Sequence, residues 1–411
     1  MRYNTHTLRC GLRIIHQPVA SPVVYCGYAI NAGSRDEEAD SHGLAHFCEH
    51  MTFKGTERRR SWHILNTLER VGGDLNAFTN KEDTVYYAAI LAEHLPRAVD
   101  LLTDIVFHSQ YPQTEIDKEA TVICEEIESY NDTPAELIYD EFDNVLFEGH
   151  PLGHHILGTM ERVRLFTTAD AQRFTHVHYR ADNMVFFISG NISFDRLVRL
   201  LERATSDLPD AQPALPGETP MTTTLQPFLA RTLRVERSTH QAHVLLGTRG
   251  YSVHHPLRMP LYLLNNMMGG PGMNSRLNMA LRERRGLVYA VESSMVNYSD
   301  TGVWSTYFGC DPHDIDRCLR AVRVEQDRLR DRLLTPAQLT AAKRQLKGQI
   351  GVACDQRESF TLGFGKSFLH YGWESDPDKL YARIDAITAE QVQQTANEVF
   401  APDHQLVLCY N

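Results

Sequence analysis

The sequence predicts an α+β protein made of two homologous domains, each a mainly antiparallel sheet packed with helices. Three observations lead there. The 411 residues are enough for two or three domains, each able to bury a core. A stretch at 209–220, PDAQPALPGETP, holds four prolines in twelve residues and reads as a linker. On both sides of it the pattern runs in the same order: strand, helix, strand pair, helix, long helix, helix, strand. The expected division is 1–208, a linker at 209–221, and 222–411.

The first domain opens with two strands, at 7–17 and 22–31, the first turning at Gly11. A turn at 31–36 leads to a histidine-rich helix at 41–55, with Ser41 as its N-cap and Gly55 as its stop. A second helix at 61–71 ends at Gly72 and Gly73. Strands at 74–79 and 84–91 flank the turn Asn80-Lys81-Glu82-Asp83. An amphipathic helix at 93–109 buries Leu95, Ala98, Leu101 and Leu102. The helix at 114–130 opens with Thr-x-x-Asp, a near capping box, and carries the stripe Ile116, Ala120, Ile123 and Ile127. Residues 131–165 read as loops and short helices. A helix at 169–178, a strand at 183–189 and a helix ending near 206 close the domain.

The second domain repeats the plan. Strands at 233–235 and 242–247 precede helices at 256–268 and 274–284, separated by Gly269-Gly270-Pro271-Gly272. Then come a strand pair at 287–294 and 302–309, helices at 312–332 and 335–352, and a final helix and strand at 390–399 and 405–409.

Composition removes several function classes. A net charge of −11 argues against a nucleic-acid partner and leaves room for cationic peptides. No apolar run is long enough to cross a bilayer, and no signal peptide is visible, so no membrane partner is expected. The eight cysteines form no C-x-x-C pair and read as reduced core thiols of a soluble, cytoplasmic protein.

The chemistry concentrates in SHGLAHFCEHMTFKGT, residues 41–56, around an H-x-x-E-H pattern, the one found in inverzincins. At about 100° per residue, Leu44, Phe47, Cys48 and Met51 form one apolar stripe. His46, Glu49 and His50 fall on the opposite side, with His42 near them. Two histidines at i and i+4 can reach one metal ion from successive turns. Glu49 lies between them in angle, so it can reach a water at the metal rather than compete as a ligand. Cys48 belongs to the core. The competing reading is a surface helix that happens to be rich in histidine. In the helix at 114–130, Glu119 and Glu126 sit seven apart on one face, flanking the apolar stripe, while Glu125 points away. That makes Glu126 a better third ligand than Glu125, although spacing alone also fits a solvated face. His154 and His155 read as a loop pair, not as ligands.

The blocks HGLAHFCEHMTFKGT, GGDLNAFTNKEDTVYY, VICEEI, PLGHHILGT and SRLNMALRERRGLVYAV stand in order along the chain. Together they resemble the pitrilysin-type (M16) zinc peptidases, and within them the shorter bacterial members related to the mitochondrial processing peptidase. The resemblance covers nearly the whole chain and implies a processing-peptidase-like metallohydrolase fold. It implies one Zn2+ per chain, held by His46, His50 and Glu126 in a catalytic first domain, with Glu49 as general base. Glu119 matches the family's second acidic position, which supports the site. Asn76 and Ala77 match a strand edge that pairs with an extended substrate. Arg282 and Tyr289 match an Arg–Tyr pair that contacts substrate near the scissile bond. Gly286 breaks the helix between them, so Tyr289 is expected at the start of a strand. Gly269–Gly272 matches a glycine-rich loop at the chamber mouth of some relatives, and His154 stands where many relatives carry Arg. The function implied is that of a zinc-dependent endopeptidase hydrolysing unfolded peptides inside a chamber formed by two subunits. A homodimer is expected, one subunit's second domain closing over the other's zinc site. Two alternatives remain: a non-catalytic structural subunit, a kind that typically lacks part of the metal set, and a dedicated precursor-peptide maturation protease.

Overall fold

The computed structural model describes residues 3–211, 225–237, 239–373 and 375–411. Most of the expected linker, 212–221, lies outside them. Among the described residues the strands are β1 (Asn4–Thr7), β2 (Arg13–Pro18), β3 (Val23–Ile30), β4 (Asp74–Thr79), β5 (Thr84–Leu91), β6 (Met184–Gly190), β7 (Arg231–Val235), β8 (Ala242–Gly250), β9 (Val288–Asn297), β10 (Gly302–Cys310) and β11 (Leu406–Tyr410). The helices are α1 (Leu44–Thr52), α2 (Ser61–Glu69), α3 (Leu95–Phe107), α4 (Gln113–Asn131), α5 (Pro134–Leu146), α6 (Met160–Val163), α7 (Thr168–His178), α8 (Phe194–Ala204), α9 (Arg258–Gly269), α10 (Ile315–Asp331), α11 (Pro336–Ala353), α12 (Arg357–Tyr371), α13 (Pro377–Asp385) and α14 (Ala389–Val399).

Six strands form one sheet in the order β1-β2-β6-β3-β5-β4, and five form another in the order β7-β11-β8-β10-β9. Setting β2 to β6 against β7 to β11 in sequence makes the two orders identical, with β1 as an added edge strand. The directions match too. β2 and β6 run parallel, as do β7 and β11, and the remaining pairs are antiparallel. The duplication expected from the pattern is therefore present in the strand ladder itself.

The chain forms two compact units, one of Met1–Ser129, His154–Pro220 and Ala353–Asp376, the other of Tyr130–Gly153, Met221–Val352 and Pro377–Asn411. A single cut at the proline-rich stretch misses this exchange. The reason lies in the sheets, each of which has a second apolar face to cover. Along β6, Phe186 and Ile188 enter the main core with Phe47, Tyr86 and Ile123. Val185 and Phe187, on the other face, meet Phe364 and Leu369 of α12. A Cβ at Gly365 would fall 2.7 Å from the Phe187 ring, so only glycine lets α12 lie this close. Arg13 anchors the end of the helix through the carbonyls of Phe368 and Leu369, both at 3.1 Å. In the second unit, Val407 and Cys409 face the core of α9, α10 and α14. Leu406, Leu408 and Tyr410 are covered by Ile138, Phe142 and Leu146 of α5. Burying each such large apolar side chain contributes about 1.5–3 kcal/mol.

Several elements differ from the sequence reading. The region 131–165 contains α5, and α12 and α13 stand where no helix was expected. Both missed sheet-covering helices carry an i, i+4, i+8 stripe, Ile138-Phe142-Leu146 and Phe360-Phe364-Phe368, which was the available signal. The turn expected at Gly11 is present, at Leu8–Leu12 with Gly11 at a φ of +89°, and it separates β1 from β2. The histidine helix begins at Leu44, not Ser41. Gly43, at φ +98°, is its left-handed cap residue, and Phe53 ends it before Gly55. The expected helix at 274–284 is largely a single π-helical stretch, Asn278–Glu283. No helix among the described residues is long and apolar enough to cross a membrane.

Candidate metal centre and active site

α1 is anchored by Leu44, Phe47, Cys48 and Met51, all buried in the first unit's core. This turns His46, Glu49 and His50 to the other side. α4 buries Ile116, Ala120, Ile123 and Ile127 in the same core, and the carboxylates flanking that stripe therefore meet α1. Glu126 reaches both histidines: its Oε1 is 3.9 Å from His46 Nε2, and its Oε2 is 3.5 Å from His50 Nε2. One donor atom from each of the three lies within 4.8 Å of the others. The Glu126 side chain remains 43% exposed, whereas that of His46 is 11% exposed and Glu49 is buried. The site is thus buried on the α1 side and open on the α4 side. Cys48 stays in the core, where burial pushes its thiol well above the usual range.

The surroundings prepare these groups for metal binding. Burial, helped by His50, lowers the His46 pKa to about 3, which keeps its imidazole neutral with a free lone pair. Burial also pulls His50 down, but Glu119, Glu126 and Glu49 outweigh it and the net shift is upward. His50 Nδ1 donates to Glu119 Oε1 at 3.0 Å, and Lys54 pairs with Glu119 Oε2 at 2.5 Å. A proton held on Nδ1 leaves Nε2 to face Glu126, the arrangement in which a carboxylate orients a ligating imidazole. Among the described residues His46 has no such support, since its Nδ1 is buried without a hydrogen bond. An ion at Nε2 would therefore be the main polar anchor of that ring. Two imidazole nitrogens and one carboxylate oxygen, converging with one side open, fit zinc at a catalytic centre.

Glu49 points to a different partner. Burial raises its pKa, countered by Thr79 and His50. Thr79 Oγ1 donates to Glu49 Oε2 at 2.6 Å. Thr79 is the last residue of β4, so the edge strand holds the carboxylate that α1 presents. Sequence reasoning missed Thr79, although it lies in the quoted block GGDLNAFTNKEDTVYY.

Asn76 and Ala77 lie in β4, paired to Tyr87 and Tyr86 of β5. β4 ends the sheet order, with no strand on its outer side among the described residues. Arg282 and Tyr289 belong to the second unit. Arg282 lies in the π-helical stretch and Tyr289 is the second residue of β9, 80% exposed, with the guanidinium 5.9 Å from its ring centre. Gly269 ends α9. His154 is not one of the clustered ligand residues but hydrogen-bonds Glu37 at 3.0 Å. His42, expected near the metal face, instead stacks on His154 with ring centres 3.8 Å apart. It lies before the helix starts, so helical angles do not apply to it.

With a duplicated α+β fold and an H-x-x-E-H helix facing a glutamate, the chain belongs to the M16 peptidase family. Residues 14–160 match the model of insulinase, peptidase family M16, and residues 166–346 match that of the peptidase M16 inactive domain. A Bacillus subtilis protein named uncharacterized zinc protease YmxG is 33% identical over 98% of this chain and 97% of its own length. An uncharacterized zinc protease of Streptomyces coelicolor is 34% identical over 96% of this chain and 86% of its own. The crystal structure of a protease from Helicobacter pylori superposes with a TM-score of 0.92 at 21% identity, covering 100% of this chain and 99% of that one.

Proposed function

We propose that this chain is a zinc-dependent endopeptidase that hydrolyses unfolded peptides. The observation that carries the reading is the convergence of His46, His50 and Glu126, with Glu49 beside them on the same helix. The relatives named as zinc proteases support it. The first unit is the catalytic one in this reading. His46, His50 and Glu126 would hold one zinc ion per chain, and Glu119 would orient His50. When bound, zinc supplies a Lewis acid that polarises a carbonyl and acidifies water.

The chain's own residues do the rest. Glu49 accepts the proton of the attacking water and returns it to the leaving amine. Thr79 holds Oε2, which leaves Oε1 to take that proton. The β4 edge at Asn76 and Ala77 accepts an extended peptide as an added strand, through backbone hydrogen bonds that make little sequence demand. Arg282 and Tyr289 hold the peptide or stabilise the developing oxyanion. The working form is a homodimer enclosing a chamber, in which one subunit's second unit covers the other's zinc site. Eight free thiols support a reducing compartment.

Glu49→Gln is the decisive variant. It should retain zinc by elemental analysis and lose cleavage of a peptide library by about 10³-fold or more, within the range for a lost general base and acid. Full activity in that variant would sink the mechanism.

A further inference from the structure

Resting on the zinc-peptidase reading, we infer that Glu37 is a positioning residue that sets the register of the metal-binding helix and ties it to the strand holding the general base. Glu37 lies outside every helix and strand, yet its side chain is wholly buried. Its Oε2 accepts the N–H of Gly43 and its Oε1 that of Ala45, both at 2.8 Å. These are donors of the first turn of α1, which has no side-chain cap of its own from Gly43. Carboxyl oxygens at that end also face the positive pole of the helix. His46 follows Ala45 directly, so the groups that fix the helix start also fix where its first histidine points.

The carboxylate is itself held. His154 Nε2 shares a hydrogen bond with Oε2 at 3.0 Å, and Lys81 donates to the His154 carbonyl oxygen. Burial, with Lys81, lowers the His154 pKa to about 4 against the Ser34 carbonyl, so the ring is neutral. Burial pushes Glu37 itself up to about 8, countered by the Ala45 and Gly43 N–H groups and by Lys81. Lys81 lies in the β4–β5 turn, two residues after Thr79. The same turn receives the backbone just before Glu37, through Ser34 N to Asn80 O at 3.0 Å and Arg35 N to Lys81 O at 2.8 Å. The loop carrying His154 closes over the helix entry. A Cβ at Gly158 would lie 2.4 Å from the His42 carbonyl oxygen, and one at Gly43 would lie 2.9 Å from Gly158 Cα. Three segments far apart in sequence therefore meet on one carboxylate, which joins the histidine helix to the strand that bonds Glu49.

The test compares Glu37→Gln and His154→Gln in the full chain. Measured are zinc affinity by chelator competition, the visible spectrum of the Co2+-substituted protein, thermal midpoint, and kcat and KM for a peptide substrate. Expected are a zinc affinity lowered by about tenfold or more, as for other groups that orient ligands, and an altered Co2+ spectrum. kcat should fall by a similar factor, with KM within twofold. Glu37→Asp, which keeps the carboxyl group on a shorter arm, should recover part of the loss. A lower thermal midpoint with wild-type zinc affinity, spectrum and kcat per folded chain would mean a merely structural role and would overturn the proposal. If Glu37→Gln does not fold, His154→Gln decides alone, and an unchanged affinity and spectrum there overturns it. If the wild type binds zinc but cleaves nothing, the peptidase reading fails, while affinity and spectrum still judge Glu37.

Discussion

α1 in the first unit and α9 in the second occupy the same place in a duplicated plan, each following the strand at the centre of its sheet. Both bury polar residues, and they treat them oppositely. On α9, Asn265 is buried and its Oδ1 accepts the indole N–H of Trp304 at 3.1 Å. That polar group is consumed by its own fold. On α1, His46 Nδ1 has no partner among the described residues, and the Nε2 atoms of both histidines converge on Glu126. The ring nitrogens that face Glu126 are left for an ion instead of being spent within the fold. The fold supplies a helix at this position, and local pairing decides whether that helix is scaffold or site.

The largest effect on that contrast, after the loss expected for Glu49→Gln, comes from Glu119→Gln. Without the carboxylate on His50 Nδ1, zinc affinity should drop by about 10–100-fold by chelator competition. Arg282→Ala should lower kcat/KM by about tenfold, the cost of one charged substrate contact, with zinc content unchanged by elemental analysis. If it stripped the metal instead, the assignment of the second unit to substrate contact would be wrong. Thr79→Val should reduce kcat severalfold at constant zinc affinity, because it loses a hydrogen bond to a carboxylate worth about 1.5–3 kcal/mol, part of which water replaces. Asn265→Ala is the smallest for function. It leaves the Trp304 donor unpaired and should cost about 1–3 kcal/mol in stability by calorimetry, with no change in zinc stoichiometry.

The duplicated strand order and the pairing of His46 with His50 were legible because each has a local signature. Period-2 and period-3.6 patterns mark elements, and the two histidines are confined to one helix turn. Glu126 was reachable since it flanks the apolar stripe of its own helix. Glu37 and Thr79 were not. A glutamate in a loop and a threonine at a strand end carry no local pattern, and their partners lie six to 117 residues away. α5 and α12 show the same limit at the scale of elements. Their apolar stripes announce helices, but nothing along the chain says which sheet each will cover.

By itself, then, the sequence determined the repeat, the composition of the metal face and the separation of that face from the core, because helical periodicity is a short-range property. Only the tertiary structure decided which carboxylates meet the histidines, what holds Glu49, and how helices on either side of the proline-rich stretch are shared between the two units. Those choices depend on apolar faces and hydrogen-bonding groups from distant segments satisfying one another, and that pairing exists only once the chain has folded.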